Sequence, residues 1–260
     1  RRTDMARRID WSSYLDAFHE ERPGIVDDLL SRAVAGHHNP YEWLARTVSA
    51  RATTVLDVAC GAGPVTRALE RPGRTVVGVD VRPAELIEAQ ARSRGAWLCA
   101  DARALPLADH SVDAAVSMLG MVMIHPTDQL LAEVARVLRP GGVLAFVAPA
   151  LGPVSPADLR TVLGMSRHLR GRPQFPGSLE LTSFKPLLAR HGLRKVEDSR
   201  ERYRVPIRSH ADADTLVRTL LLPTKADARI DAAIGYLARQ VRARGEVHVP
   251  VPMRRFVAIK

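Results

Sequence analysis

The sequence has few cysteines, few aromatic residues and no long apolar run, and each shortage excludes a class of protein. Its 260 residues include two cysteines, Cys60 and Cys99, which are too few for a disulfide framework or a four-cysteine zinc site. No run of about 18 apolar residues occurs, so we expect no transmembrane helix. The basic N-terminus lacks the apolar core of a signal peptide. We therefore expect a soluble, cytoplasmic protein.

Arginine supplies most of a large positive charge. The chain has 38 basic and 28 acidic residues, a formal net charge of +10, and only four of the basic residues are lysines. A surface for nucleic acid or an acidic substrate would gather such charges into a patch. The arginine clusters here are short, as in Arg167, Arg170 and Arg172. Aromatic residues make up 5%, which disfavours nucleobase stacking, so we favour a solvated arginine-rich surface.

Strand and helix patterns alternate through the middle of the chain. Short apolar runs such as TVLDVA and TVVGVD alternate with helical segments between residues 53 and 149. This alternation predicts an α/β fold with a doubly wound, mainly parallel sheet. We expect one domain over residues 1–260. A helical cap at 1–50 would precede a core at 51–150, and cap insertions with the last strands would follow at 151–260.

A glycine-rich turn follows the first strand, within residues 55–69. Gly61 and Gly63 permit unusual backbone angles and let a ligand approach the main chain. The next helix would point its free N–H groups at that ligand. Thr66 stands where the dinucleotide fingerprint GxGxxG requires its third glycine. Asp57 places a carboxylate beside the turn, which disfavours a pyrophosphate and favours a ligand with an ammonium or sulfonium group.

Two further acids end the next strands. Asp80 closes TVVGVD, where an acid commonly grips both ribose hydroxyls. Asp101 closes AWLCAD and can accept a hydrogen bond from the exocyclic amine of a base, while the N–H of Ala102 serves a ring nitrogen. These features indicate a nucleoside with a charged, non-phosphate tail. As alternatives, Asp57 could cap the next helix, and the other two acids could be ordinary strand-end or turn residues.

The sequence closely resembles the class I S-adenosylmethionine-dependent methyltransferases, particularly those of the small-molecule type. The matching segments are DVACGAG (57–63), GVD (78–80), CADARALPLADHSVDAAVS (99–117) and AEVARVLRPGG (132–142). They cover about residues 53–148 in the expected order. The resemblance implies a seven-stranded Rossmann-like methyltransferase fold with helical cap insertions. It also implies S-adenosyl-L-methionine as the cofactor and S-adenosyl-L-homocysteine as its product.

The resemblance further implies roles for individual residues. Ala59 to Gly63 would cradle the methionine part of the cofactor, and Asp80 would hold the ribose. Asp101 and Ala102 would contact the adenine, with Val81 beside it. Met118 and nearby residues after the fourth strand, such as Met123, would lie near the sulfonium. The full set predicted to bind the cofactor is Tyr14, Asp57, Ala59, Cys60, Gly61, Gly63, Asp80, Val81, Arg82, Asp101, Ala102, Met118 and Met123. The cysteines also suit small packing positions.

Methyl transfer leaves the protein few chemical tasks, because the sulfonium already activates the carbon. Alignment does much of the work, and a base is needed only where the nucleophile must lose a proton. His125, just after the fourth strand, is our candidate general base; alternatively it is an ordinary residue at a helix start. Tyr14 and His19 could line the mouth of the site. His37 and His38 have no third ligand spaced to join them, so we expect no metal.

The acceptor is expected to be a small molecule. Residues 150–180 and 205–245 lie where this family places its substrate cap, and Met165 and Phe175 there suit an apolar or aromatic acceptor. An arginine could pair with a carboxylate or phosphate on it. The acceptor atom could be O, N or C, in a secondary metabolite or a quinone-like compound. Either a monomer or a homodimer is compatible with the sequence.

Two other functions stay open at this point. The basic charge prompts an RNA or DNA methyltransferase, but Ser117-Met-Leu-Gly120 replaces the Asp/Asn-Pro-Pro-aromatic tetrapeptide used on exocyclic base nitrogens. No Pro-Cys nucleophile for cytosine occurs either. We therefore do not expect a nucleic-acid partner. A protein that binds the cofactor without turnover would keep the same turn and acids, so the sequence does not exclude it.

Overall fold

The computed structural model describes residues 9–177 and 184–260. Residues 1–8 and 178–183, which belong to the two caps predicted from the sequence, lie outside these ranges. The elements in chain order are α1 (Trp11–Glu21), α2 (Ile25–Leu30), α3 (Pro40–Ala45), β1 (Thr54–Val58), α4 (Pro64–Leu69), β2 (Thr75–Asp80), α5 (Pro83–Arg92), β3 (Ala96–Cys99), β4 (Val112–Met118), α6 (Gly120–Met123), α7 (Thr127–Val137), β5 (Leu138–Pro149), α8 (Pro156–Leu169), α9 (Phe184–Arg190), β6 (Arg194–Ile207), α10 (His210–Thr219), α11 (Asp227–Arg244) and β7 (Val247–Ile259).

The strands form one mixed sheet in the order β3-β2-β1-β4-β5-β7-β6. Strands β1 to β5 pair in parallel, whereas β7 runs antiparallel to both β5 and β6. The central strands β1 and β4 are buried almost throughout, because helices cover both faces of the parallel part. This architecture confirms the expected α/β fold with a mainly parallel, seven-stranded sheet.

Two apolar layers hold the helices to the sheet. Val55 of β1 belongs to the layer beneath α3, α8, α10 and α11, and its neighbour Leu56 belongs to the layer beneath α7 and α9. Adjacent strand residues point to opposite faces, so each strand feeds both layers. Tyr203 is fully buried in the first layer, and Phe146 stacks on Phe256 in the second. The sheet is thereby fixed as a rigid platform for the turns at its edge.

The strand order reverses direction between β1 and β4, which lie side by side at the centre of the sheet. In open α/β sheets, ligands bind in the crevice outside the carboxyl ends of the strands at such a switch point. The turn after β1 and the segment after β4 both begin there. The fold therefore puts the glycine-rich turn at the position where a ligand site is expected.

The structure differs from the sequence prediction around residues 138–142. The sequence predicts that Pro140-Gly141-Gly142 stops a helix and that a strand begins at Val143. Instead β5 begins at Leu138, which pairs with Val112 across a register shift. Gly141 has a φ of +77°, which accommodates the irregularity. The short helix α6 is a further element that the apolar pattern does not reveal.

Two expected absences can be examined within the described ranges. No helix in this part of the chain is long and apolar enough to cross a membrane. Across residues 9–177 and 184–260, no group of three or more His, Cys, Asp or Glu side chains is arranged to hold a metal ion. His38, considered as a metal ligand above, instead lies 3.0 Å through its Nδ1 from the hydroxyl of Tyr203.

Candidate functional site

A cavity of about 500 Å³ opens at the carboxyl edge of the sheet. One side is formed by the turn after β1, the end of β2 and the segment after β4. The other side is formed by α8, the loop after α10 and the start of β7, with α1 and α2 contributing side chains. This volume lies within the range of small-molecule sites. Core and cap residues thus enclose a single space.

Asp57 is the most deeply buried charged residue of the cavity lining. Its Oδ2 accepts a 2.8 Å hydrogen bond from the hydroxyl of Thr66, and its Oδ1 is buried with no partner among the described residues. Burial raises the pKa of Asp57 to about 7, while the hydrogen bonds from Thr66 oppose this rise and the charge of Asp80 adds to it. An unsatisfied buried carboxylate oxygen costs free energy, and a cationic hydrogen-bond donor would relieve that cost.

The turn after Asp57 brings several predicted residues to the cavity. Ala59, Cys60 and Gly61 line it, and Ala59 and Gly61 have φ angles of +53° and +51°. Gly61 donates its backbone N–H to Oδ2 of Asp80 over 2.9 Å. The burial of Cys60 and the nearby acids raise the pKa of its thiol, as suits a packing residue.

Gly63 has a structural position that the sequence does not reveal. It does not line the cavity; it begins α4 in the left-handed conformation with a φ of +76°. A Cβ at Gly63 would lie 2.6 Å from Cη2 of Trp97, a side chain of β3. The glycine is therefore required where the turn packs against the indole ring, beneath the surface that would meet a ligand.

Asp80 is buried at the end of β2 and lines the cavity. Each carboxylate oxygen accepts one backbone hydrogen bond, from Gly61 over 2.9 Å and from Arg82 over 3.0 Å. A carboxylate can accept further bonds, so these two fix its orientation and leave capacity for ligand hydroxyls. Arg82 also lines the cavity, and its guanidinium pairs with Asp16 of α1 over 3.1 Å.

Glu85 is a buried acid of the cavity that sequence reasoning missed. It accepts hydrogen bonds from the backbone N–H of Gly24, and its Oε1 lies 2.6 Å from Nδ1 of His19. His19 lines the cavity too, so this pair fastens α1 to α5 across the opening. In the sequence Glu85 is only one acid in the first turn of a helix. Its burial depends on α1 and on the loop before α2, which the local pattern does not show.

The predicted adenine contacts lie elsewhere. Asp101, Ala102 and Val81 do not line the cavity. The carboxylate of Asp101 forms an ion pair with Arg103 over 2.6 Å, and this guanidinium holds the pKa of Asp101 below its usual range. Arg103 also donates to the backbone oxygen of His125 over 2.6 Å. The contact of Asp101, Ala102 and Val81 with a ligand stays a prediction.

His125 and Tyr14 also lie outside the cavity lining. His125 is exposed, and its Nε2 faces the backbone of Gly177. The hydroxyl of Tyr14 accepts a 3.0 Å hydrogen bond from the N–H of Leu222, and partial burial raises the pKa of the Tyr14 phenol. Tyr14 thus ties α1 to the loop after α10. The structure does not place His125 on the cavity lining, and its role as a general base stays a prediction.

The cap side of the cavity is mainly aliphatic. Met118 and Met123, predicted near the sulfonium, line it at the junction with the glycine-rich turn. Of the arginines at 167, 170 and 172, Arg172 lines the cavity and the other two do not. Most of the remaining lining on this side is supplied by apolar side chains together with two hydroxyl residues, among them Leu151, Val154, Leu159, Val162, Met165, Leu169, Phe175, Leu216, Leu220, Leu221, Val251, Met253, Ser166 and Thr219.

A shallower groove lies beside the cavity, between α2, α4, α5 and α10. Its charged lining residues pair with one another: Arg67 and Arg92 with Asp27 over 2.6 and 3.1 Å, and Arg32 with Asp212. Side chains that already form ion pairs have little charge available for a ligand. The enclosed cavity is therefore the better candidate site.

Comparison with known proteins identifies the domain around this cavity. Residues 56–146 match a family model described as a methyltransferase domain. The malonyl-[acyl-carrier protein] O-methyltransferase of Pseudescherichia vulneris is 36% identical over 110 residues, which are 42% of this chain and 44% of that protein. The demethylmenaquinone methyltransferase of Thermobifida fusca is 32% identical over 148 residues, 53% of this chain and 62% of that protein. The chain thus spans about half the length of these curated relatives.

Solved structures agree on the fold. The YcgJ protein of Bacillus subtilis superposes with a TM-score of 0.57 at 18% identity, covering 85% of this chain and 97% of that one. Identity this low speaks for the fold alone. The family match and the four motifs in their expected order concern the same segment, which contains both Asp57 and Asp80. Residues 56–146 are therefore similar to methyltransferase domains, and the four motifs in this segment support the class I S-adenosylmethionine-dependent type.

Proposed function

We propose that the protein transfers a methyl group from S-adenosyl-L-methionine to a small-molecule acceptor. The observation that carries this proposal is the buried, unpartnered Oδ1 of Asp57, beside Asp80, in a cavity whose opposite side is aliphatic. When bound, the cofactor supplies a methyl group on a sulfonium and leaves as S-adenosyl-L-homocysteine. Residues of both predicted caps, such as Leu15 and Tyr41 in the first and Met165 and Met253 in the second, line the same cavity as the core, which supports treating the chain as one functional unit.

The charges on the donor side fit this cofactor. Asp57, Asp80 and Glu85 line the cavity, and a cluster of carboxylates favours a cation over a phosphate. Asp57 would accept a hydrogen bond from the ammonium of the methionine part through its buried Oδ1. Asp80, already oriented by two backbone donors, would accept from the ribose hydroxyls.

The aliphatic side of the cavity would align the acceptor and exclude water. Displacement at the methyl carbon needs the nucleophile in line with the methyl–sulfur bond, and positioning of this kind accounts for much of the rate in such reactions. Apolar walls hold a nucleophile without competing for its lone pair. We therefore propose that the protein acts mainly by alignment. His125 is not part of this proposal, because it lies outside the cavity lining.

Two measurements test the proposal. Titration calorimetry with S-adenosyl-L-methionine should give binding that Asp80→Ala weakens at least tenfold, whereas Asp109→Ala, an exposed acid outside the cavity, leaves the affinity unchanged. Formation of S-adenosyl-L-homocysteine is then followed against a panel of amphiphilic metabolites. Absence of cofactor binding refutes the proposal. Binding without turnover on any acceptor favours a cofactor-binding protein, and methyl transfer to RNA or DNA alone favours a nucleic-acid enzyme.

A further inference from the structure

An aliphatic track runs along α8 from the protein surface into the cavity. Leu159, Val162, Met165 and Leu169 are three or four residues apart, so they share one face of the helix, and all four line the cavity. Their exposed fractions fall in order along the helix: 46%, 36%, 6% and 2%. On this face of α8 the cavity lining therefore continues outward as aliphatic surface.

Two more exposed apolar side chains flank this track. Leu151, in the segment before α8, lines the cavity and is largely exposed. Leu163 lies one turn beyond Leu159 on α8 and is exposed without lining the cavity. We call Leu151, Leu159, Val162 and Leu163 the aliphatic rim. Large apolar side chains grouped on a surface mark a place where a ligand or partner binds.

We propose that the acceptor carries an aliphatic chain longer than the cavity, which lies along the α8 track and ends on the aliphatic rim. This inference rests on the proposed function, because it assigns the track to the acceptor of that reaction. The reacting end of the acceptor would lie near Met118, between the donor side and the cap. The acceptor class is thus a lipid-like amphiphile.

The continuity of the track favours an acceptor chain over a protein partner. Leu151, Leu159 and Val162 are both surface and cavity lining, so whatever covers them also reaches the cavity. A macromolecule lying on α8 would bury the rim but would leave Met165 and Leu169 facing an aliphatic space. The acidic lining residues gather at the opposite end, around Asp57 and Asp80. A single long molecule with a polar reacting end and an apolar tail would fit both the acidic end of the cavity and the aliphatic track.

A series of esters with alkyl chains of increasing length measures how far the aliphatic track extends. Ethyl, butyl, octyl and dodecyl 4-hydroxybenzoate are titrated into the protein loaded with S-adenosyl-L-homocysteine, below the concentration at which they aggregate. The Kd should fall by roughly threefold for each methylene that is buried, and this trend should continue from butyl to dodecyl. An affinity that stops improving at butyl would overturn the inference, because the chain would then end inside the cavity.

Two variants test where the alkyl chain of the ester lies. Leu163→Ser should weaken dodecyl ester binding about fivefold and leave ethyl ester binding unchanged, because only a long chain reaches the rim. Ile87→Ser is the matched control, since Ile87 is an exposed aliphatic residue on helix α5 that does not line the cavity. Equal effects of Leu163→Ser and Ile87→Ser, or equal effects on both esters, would overturn the proposal.

Sedimentation of the same variants excludes another occupant. If a second copy of the chain covered the rim, Leu163→Ser would change the oligomeric state without changing the dependence on ester length, and the inference would be wrong. Binding of S-adenosyl-L-methionine is measured in parallel. If the protein binds the cofactor but the Kd of the esters does not depend on chain length, this inference alone is refuted. If the unmodified protein does not bind the cofactor, the proposed function itself is refuted.

Discussion

Thr66 donates a hydrogen bond of 2.8 Å to Oδ2 of Asp57 and leaves the other carboxylate oxygen, Oδ1, buried without a partner in the described ranges. Thr66 is the residue that breaks the dinucleotide fingerprint at its third glycine. Its hydroxyl opposes the rise in the pKa of Asp57 that burial causes. The threonine that departs from the dinucleotide fingerprint therefore also favours the ionised form of Asp57, which is the form that binds a cation.

The affinity for S-adenosyl-L-methionine should fall as the pH drops below about 7. The carboxyl of Asp57 has a pKa of about 7 in the ligand-free protein, so it binds a proton below that pH. A cationic ligand favours the ionised form, and binding must then release the proton, which costs about tenfold in affinity per pH unit. Titration calorimetry at a series of pH values measures this slope.

The variant Asp57→Asn is the control for that slope. It should bind the cofactor weakly and with the same affinity on both sides of pH 7, since it has no carboxyl to titrate. Proton release measured in buffers of different ionisation enthalpy gives a second reading. An unmodified protein whose affinity does not change with pH in this range contradicts the assigned contact.

The same variant should stabilise the ligand-free protein at high pH. The pKa of Asp57 is raised from 3.8 to about 7, so its contribution to stability is fully present below pH 3.8 and is lost as the pH rises to 7. Asp57→Asn removes the buried charge and should raise the free energy of unfolding above pH 7 by on the order of 3 kcal/mol. Thermal unfolding of both proteins across this pH range checks the sign. Greater stability of the unmodified protein at pH 8 without ligand would refute it.

Asp57 and Asp80 could be located from the sequence because Asp57 lies near the end, and Asp80 at the end, of a short apolar run followed by a turn. Parallel strands end at one edge of a sheet, so the run and the turn together fix the position. Glu85 could not be found in this way. Its burial results from the backbone of Gly24 and the ring of His19, which reach it from a distant part of the chain.

Gly63 and Asp101 illustrate the limit of motif reasoning. Both match the family pattern, and the sequence assigns both to the ligand. In the folded chain Gly63 packs beneath Trp97, and Asp101 pairs with Arg103. Motif spacing gives the strand ends, but the side chains that neighbouring strands and turns contribute decide which atoms face the cavity. The aliphatic track of α8 was likewise beyond the sequence, since exposure along a helix depends on its packing.

Loosening α1 should speed the loss of cofactor. His19 and Glu85 join α1 to α5 over 2.6 Å, and Leu15, Phe18 and His19 of this helix line the cavity. His19→Ala removes one partner of the pair and leaves a buried carboxylate less satisfied. We expect the dissociation rate of S-adenosyl-L-homocysteine to rise about tenfold, as measured by stopped-flow displacement.

Glu20→Ala provides the comparison for this measurement, because Glu20 is the exposed neighbour of His19 on the same helix. It should leave the dissociation rate unchanged. Glu85→Gln should resemble His19→Ala, and the double variant should add little, since the two residues act through one contact. Additive effects of the two changes would show that they act separately.

Gly63→Ala should destabilise the protein more than Gly73→Ala. Both glycines have a φ of +76°, so both variants incur the same left-handed backbone strain, roughly 1 kcal/mol. Only Gly63 adds a collision, because its Cβ would lie 2.6 Å from Trp97, whereas nothing lies within 4 Å of a Cβ at Gly73. Overpacking of this kind costs about 1–3 kcal/mol more. Denaturant unfolding of the two variants measures the difference, and equal losses would mean that the indole ring yields without cost.

Arg172→Ala should reduce the preference of the cavity for anionic amphiphiles. Arg172, which follows α8, is the arginine of the 167–172 segment that lines the cavity. In the unmodified protein decanoate should bind more tightly than decanol by about twofold to fivefold, a modest factor because the guanidinium is exposed to water. Competition against dodecyl 4-hydroxybenzoate gives both affinities.

Arg172→Ala should remove the preference and leave decanol unaffected, and Arg167→Ala, one turn back on an exposed face of α8, should keep it. A preference that survives Arg172→Ala, or that Arg167→Ala removes equally, would mean that the net positive charge of the surface attracts the anion and that no single arginine recognises it.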